Sequence, residues 1–305
     1  MIKKVVFFNN FAFGDLHVSR GFVRATMQLL PDVQFGYVHH RGPDVLADIP
    51  RLTLLKQDLP REVDVRETVR AVVDDTLYVN TWYCAGGDQF TRRYDSRCCF
   101  DVLYDMFEEM LQEHFSMRLV RQFQPESLFP TIDYGCFDIA SASEFLAQET
   151  RPIVLVCNGD VTSGQAENFD LGGYVREVAA KMPQYVFVLT SKDWRMPTDN
   201  VLYSSDIIRK EPGRCDINEV SFLSSKASLI IGRASGPFTF AFTQQNLFER
   251  EPSWLCFCRQ DFGNPFWLGN RFSLHVKYTS EIPQFRATSR KEVCEIVAST
   301  LENLG

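Results

Sequence analysis

Short, almost wholly apolar runs alternate with amphipathic stretches along this chain, a rhythm that predicts strands and helices in turn. The opening "KKVVFF" reads as a strand. "VSRGFVRATMQLL" follows as a helix with Val18, Phe22, Ala25 and Leu29 on one face, ending at Pro31. "VQFGYVHH" reads as a second strand, so the chain begins as a parallel α/β unit. From Thr81 to Pro130 the pattern changes to an aromatic, turn-rich stretch, "TWYCAGGDQFTRRYDSRCC", and then a helical one, "FDVLYDMFEEMLQEHF". Beyond residue 150 the alternation is cleaner. Strand "IVLVC" leads through "NGDVTSGQAENFD" into helix "LGGYVREVAAKM" and strand "YVFVLT". A short strand "NVLYS", a helix "INEVSFLSSKA" and a strand "SLIIG" come next, and the turn "RASGP" opens a further helix, "FTFAFTQQNL". The chain closes on "SRKEVCEIVASTLENL", a helix with Val293, Ile296, Val297 and Leu301 on its apolar side.

Strands this apolar are expected where helices cover both faces of a parallel sheet. The fold class is therefore α/β, with two Rossmann-like domains facing a cleft. A length of 305 residues agrees with two domains rather than one core. The rise in polarity around "AQETRP" places the boundary near residue 150. The expected division is 1–150 with an insertion near 81–130, then 151–288, then a terminal helix over 289–305 that crosses back onto the first domain.

Composition narrows the function classes. Apolar residues at 45% and charged residues at 23% describe a soluble globular protein. The formal charge of -7, without a basic run, leaves no footprint for a nucleic-acid partner. No apolar run in "MIKKVVFF" is long enough for a signal segment or a membrane span, so the expected location is cytoplasmic, at most peripheral to the inner face of the membrane. The nine cysteines form no C-x-x-C pair, and no metal is assigned to them.

Ligands of open parallel sheets bind beyond the carboxyl ends of the strands. Three loops lie there. In the first, Gly14 permits a sharp turn and Asp15, His17 and Arg20 stand near the start of a helix; Asp15 also suits a helix cap. Arg20 and Arg24, four residues apart, share a helix face that suits either solvent or an anionic substrate. The second loop carries Asn158, Gly159, Asp160, Thr162, Ser163 and Gly164, small residues whose backbone amides can approach a ligand. The third is "GRASGP", where Ser235 and Gly236 precede Pro237, a residue favoured in the first turn of a helix. Free N–H groups at such an end suit phosphate, and Lys192 at the same sheet edge supplies a cation. Trp82, Tyr83, Arg92, Arg93 and Tyr94 make an aromatic, arginine-bearing stretch suited to lining a binding cleft.

From "IVLVCNGD" through "YVFVLTSK" to "DINEVSFLSSKASLIIGRASGPFTFAF", the order and spacing resemble the donor-binding domain of heptosyltransferase-type glycosyltransferases of the GT-B fold. "FGDLHVSRGFVRA" is similar to that family's N-terminal Gly-Asp turn, whose aspartate is the proposed catalytic base. The resemblance implies transfer of a sugar from a nucleoside-diphosphate donor to the hydroxyl of a glycan, lipid-linked or protein acceptor, with inversion and without a metal. It implies Gly14 and Asp15 on the acceptor side. On the donor side it implies Lys192, Ser235 and Gly236; Asn158, Gly159 and Pro237 stand beside them from the loops, and Arg233, a departure from the family, adds a positive charge suited to the diphosphate. On the acceptor side Arg20, Arg24 and Trp82 then suit the acceptor cleft, since sugar faces stack on aromatic rings. No cofactor is implied beyond the donor itself.

The sequence departs from the pattern at Ala234, where the family has an acid, and near Thr239, where it has a histidine. "GDLHVSR" also resembles the G-x-G-H-x-x-R turn of nucleotide-sugar hydrolases and lipid-linked N-acetylglucosaminyltransferases. His17 therefore stands beside Asp15 as a candidate base. Hydrolysis of a nucleotide sugar and a non-catalytic binding role are the alternative functions.

Overall fold

The computed structural model describes residues 1–86, 99–162, 164, 166–209, 215–233, 236–258, 275–276 and 282–304. Ser163, Ala234, Ser235, Arg92, Arg93 and Tyr94 lie outside the described residues. The described chain divides into two compact units, Met1–Ile132 with Pro265–Lys277, and Asp133–Asn264 with Tyr278–Gly305.

Unit 1 opens with β1 (Lys4–Phe8), α1 (Phe13–Leu29) and β2 (Gln34–Val38). β3 (Leu52–Leu55), β4 (Arg70–Val73), β5 (Thr76–Asn80) and α2 (Cys99–Phe115) follow. The sheet order is β3-β2-β1-β5-β4, parallel except for the antiparallel edge strand β4. Alternation along β1 sends its side chains to two covers. Phe7 meets Phe107 of α2 with ring centroids 5.8 Å apart. Val6 and Phe8 point the other way, into a cluster with Val38, Val63 and Tyr78. α2 is thus a layer of this unit's core, because Phe100 and Phe107 also pack on Phe22 of α1. Gly21 lets α1 approach the 125–128 segment: a Cβ there would lie 1.9 Å from the Leu128 carbonyl oxygen.

Unit 2 takes in α3 (Ala140–Gln148), so its division from unit 1 falls ahead of the polarity rise at Ala147–Pro152. The reason is packing: Tyr134, just before α3, stacks edge-on against Phe222 with centroids 5.1 Å apart. Next come β6 (Ile153–Cys157), α4 (Leu171–Ala179), β7 (Val186–Leu189), β8 (Val201–Tyr203), α5 (Ser204–Ile207), α6 (Ile217–Ser224) and β9 (Ala227–Arg233). α7 (Gly236–Phe240), β10 (Ser253–Phe257), β11 (Gln284–Phe285) and α8 (Arg290–Glu302) complete the unit. All strands are parallel, in the order β11-β10-β9-β6-β7-β8. The expected long helix over 238–247 is instead the short α7, a turn, and a π-helical segment Gln245–Arg250 that ends at Glu251 in a left-handed conformation, φ 49°.

The terminal helix α8 packs within unit 2. Val293, Val297 and Leu301 join Leu171, Val175 and Val178 of α4 in one buried cluster, and Leu301 accepts a hydrogen bond from the Tyr185 hydroxyl at 2.9 Å. The apolar stripe of α8 is matched by that of α4, so the helix is placed by an apolar surface close at hand.

Candidate functional site

In unit 1 the carboxyl ends of β1, β2 and β5 converge on the first turn of α1. The helix begins earlier than its apolar stripe suggests, with Ala12 as N-cap, so Asp15 lies in the first turn rather than before it. Its carboxylate reaches back and accepts from the Ala12 N–H at 3.2 Å. Asn9, buried at the end of β1, accepts from the Phe11 N–H at 2.9 Å and holds the same loop. Phe11 stacks on Trp82 with centroids 3.7 Å apart, which ties this loop to the one after β5.

Burial pushes the Asp15 carboxyl up to about 6, against the smaller opposing pull of the Ala12 N–H. Part of the residue's surface stays accessible. Its negative charge in turn helps to raise Tyr37, Tyr83 and Cys84, each shifted first by its own burial, the Cys84 thiol to about 11. These side chains stay protonated at neutral pH. His39, at the end of β2, is lowered to about 4, by burial first and by His40 next, and is a neutral imidazole there.

Three of the expected site residues are placed elsewhere. His17 is fully buried in the body of α1, so it does not meet solvent as a base must. Arg20 is fully buried too, donating to both carboxylate oxygens of Asp48 at 3.0 and 2.9 Å and to the Val45 carbonyl at 2.6 Å. Arg24 donates to Asp48 at 2.6 Å and to the Thr131 carbonyl at 2.7 Å. Both arginines hold Asp48 rather than an acceptor.

In unit 2 the loops after β6 and β7 enclose an open pocket of about 570 Å³. Asn158, Gly159, Asp160, Phe169, Asp170 and Lys192 contribute to its lining. The Asn158 amide donates to the Ser191 carbonyl at 2.9 Å and accepts from the Ser191 N–H at 2.8 Å, clamping the two loops together. Asp170 caps α4 by accepting from the Gly173 N–H at 3.0 Å. Arg195 binds Asp170 at 2.5 Å and Asp193 at 3.0 Å. Lys192 is largely exposed, with its ammonium 3.0 Å from Asp206. Gly236 and Pro237 open α7 beyond the carboxyl end of β9, outside the pocket's lining. Gly232 is required just before them, since a Cβ would come within 2.7 Å of Phe238 and 2.8 Å of Cys157. Arg233 does not face a ligand: its side chain is 1% exposed, and its guanidinium is spent on the carbonyls of Asn158, Gly159 and Phe169.

No protein-family model matches the sequence, and no curated protein matches it either. Solved structures do match. The chain is similar to a glycosyl transferase family 9 protein from Veillonella parvula, at 13% identity and TM-score 0.52, over 98% of this chain and 89% of that one. It is similar to the iron-containing dodecameric glycosyltransferase TibC from enterotoxigenic E. coli, at 12% identity and TM-score 0.53, over 99% of this chain and 75% of that one. It is similar also to E. coli heptosyltransferase WaaC with ADP, at 10% identity and TM-score 0.53, over 99% of this chain and all of the other. The fold is that of the GT-B glycosyltransferases.

Within that fold, the Asp15 turn and the pocket occupy the sheet edges where parallel α/β proteins bind ligands. The sequence reading missed the flanking side chains Asn9, Tyr37 and His39, and the pocket carboxylates Asp170 and Asp193. Asp170 carried a signal, an aspartate just before the helical "LGGYV". His39 carried none, since its neutrality comes from burial. No described helix is long and apolar enough to cross a membrane.

Proposed function

We propose that this protein is a glycosyltransferase that moves a sugar from a nucleoside-diphosphate donor to an acceptor hydroxyl, with inversion. The observation that carries the reading is the Asp15 carboxyl, partly accessible at the end of the parallel sheet and raised to about 6. Such a group is ionised at neutral pH yet basic enough to take a proton in the transition state. The fold supports the reaction class. WaaC, one of the similar structures, is solved with ADP and with ADP-2-deoxy-2-fluoro heptose, which supports a nucleoside diphosphate as the donor's carrier.

In this reading Asp15 takes the proton of the acceptor hydroxyl as its oxygen bonds to the anomeric carbon. The bond from that carbon to the diphosphate oxygen breaks on the opposite face, and its electron pair leaves with the nucleoside diphosphate. Unit 2 binds the donor, and Lys192 and backbone N–H groups meet the growing phosphate charge. This route needs no metal, and loss of turnover on adding a chelator would overturn that part. Trp82, held by Phe11, is the acceptor-side aromatic platform. The hydrolase alternative, in which water replaces the acceptor and His17 is the base, is less well supported because His17 is buried, and breakdown of a nucleotide sugar without any acceptor would favour it.

The test is thermal unfolding against UDP, GDP, ADP, CMP and dTDP, followed by assay of sugar transfer from the donors of whichever nucleotide binds. A ligand at a hundred times its dissociation constant stabilises by about 2.7 kcal/mol, a shift of several degrees. If no nucleotide moves the transition, the donor reading fails. Retention of turnover by Asp15→Asn would remove Asp15 from its role.

A further inference from the structure

Arg233 ends β9 with its side chain sealed from solvent, and its guanidinium spans two stretches of the β6–α4 loop. Nη2 donates to the carbonyls of Asn158 at 2.6 Å and Gly159 at 2.9 Å; Nη1 donates to that of Phe169 at 3.1 Å. The same group stands 5.4 Å from the centre of the Phe169 ring and 3.5 Å from the Asp160 carboxylate. A buried arginine is costly unless its donors are satisfied. Here backbone carbonyls do most of that work, so the loop is shaped around the cation.

A trans peptide group is planar, and the carbonyl of one residue points opposite to the N–H of the next. Turning the Asn158, Gly159 and Phe169 carbonyls toward Arg233 therefore turns the N–H groups of Gly159, Asp160 and Asp170 away from it. None of these three N–H groups donates a hydrogen bond to the described residues. All three residues line the pocket of about 570 Å³, and Arg233 does not. The guanidinium thus holds three peptide planes, that of Phe169 jointly with the Leu171 N–H, which donates to the same carbonyl at 2.7 Å, and the three residues whose N–H groups are turned from it line the pocket.

We infer that the N–H groups of Gly159, Asp160 and Asp170 form a subsite for the phosphate oxygens of the donor, and that Arg233 is the positioning residue that orients them. This deepens the donor reading above and rests on it. Successive N–H groups lining a concavity bind anions, and their bonds to a charged oxygen are stronger than neutral ones. The buried guanidinium adds a fixed positive charge beneath the loop. The carboxylates of the same pocket are engaged elsewhere: Arg195 holds Asp170 and Asp193, and Asp160, 77% exposed, is turned largely to solvent. The pocket's size suits a phosphorylated nucleoside.

The experiment is a titration of the full-length, deuterated and 15N-labelled protein with inorganic pyrophosphate, following the amide resonances of Gly159, Asp160 and Asp170. All three are expected to shift together and saturate. Arg233→Met is expected to weaken pyrophosphate at least tenfold. Arg233→Lys, which keeps the charge without the fork of donors, is expected to recover less than half of that loss. Pyrophosphate that binds without moving these amides, or that does not bind, overturns the subsite; so does an Arg233→Met variant that binds as tightly as the parent. If both variants fail to fold, the parent titration decides alone. Saturating amide shifts in a protein that transfers no sugar would sink the transferase reading and leave the subsite standing. Sugar transfer with unmoved amides would do the reverse.

Discussion

Asp48 receives Arg20 Nη1 on both carboxylate oxygens, at 3.0 and 2.9 Å, with both side chains wholly buried. Arg24 adds a third bond at 2.6 Å. Two cations four residues apart on α1 are thereby consumed by one acid from the segment before β3. Removing one partner of a buried pair strands the other, at a cost of about 3–5 kcal/mol. Asp48→Ala is expected to lower the urea midpoint of unit 1 accordingly. An unchanged midpoint would mean that the cluster contributes no stability.

The raised Asp15 carboxyl sets the pH dependence of the proposed reaction. With its pKa at about 6, kcat/KM is expected to rise as pH rises through that value and then to level off, because the ionised form is the base. A profile flat from pH 5 to pH 8, measured with saturating donor, would assign the base elsewhere.

The same shift carries a stability cost of opposite sense. The folded-state pKa of about 6 lies above the ordinary aspartate value of 3.8, so folding favours the protonated carboxyl. Asp15 therefore contributes most favourably at low pH, and that contribution is lost as pH rises through the interval between the two values. Asp15→Asn, which keeps an acceptor for the Ala12 N–H, is expected to gain on the parent across that interval and to hold a constant advantage above it. Thermal unfolding of both proteins from pH 4 to pH 8 measures the difference, and a constant difference would refute the shift.

Gly21 gives a test in which two local effects oppose each other. Helix propensity alone makes Gly→Ala favourable by about 1 kcal/mol. A Cβ at this position would meet the Leu128 backbone oxygen at 1.9 Å, and overpacking typically costs about 1–3 kcal/mol. Gly21→Ala is expected to destabilise, read as a lower melting temperature, whereas a higher one would show that the 125–128 segment yields freely.

The strands legible in advance were β1, β2, β6, β7, β8 and β9, most of them buried on both faces. β1, β2, β6, β7 and β9 are short apolar runs because helices or loops cover each side, and the loops after β1 and β6 could be named from them. β3, β4, β5, β10 and β11 were not legible, although β5 and β10 are interior strands buried almost throughout. β3 and β4 lie at the sheet's edges, with Thr53 and Val72 exposed, and the β4–β5 hairpin turns at Asp74, in a left-handed conformation, and Asp75. An edge strand with one face in water carries polar residues that blur the pattern. The π-helical segment Gln245–Arg250 was equally hidden, because its composition reads as ordinary helix.

The sequence by itself determined the alternation of strands and helices, the α/β class and the turn that carries Asp15. These depend on periodicity and on neighbours a few residues away, which are local properties of the chain. Only the tertiary structure decided which polar groups remain available for chemistry. His17, Arg20 and Asp15 lie within one helix, yet burial seals the first, Asp48 consumes the second, and the third keeps contact with solvent. Arg233 makes the same point in unit 2: its partners are Asn158, Gly159 and Phe169, more than sixty positions away. Whether a charge faces water or a buried partner is set by segments distant along the chain, and local pattern carries no record of them.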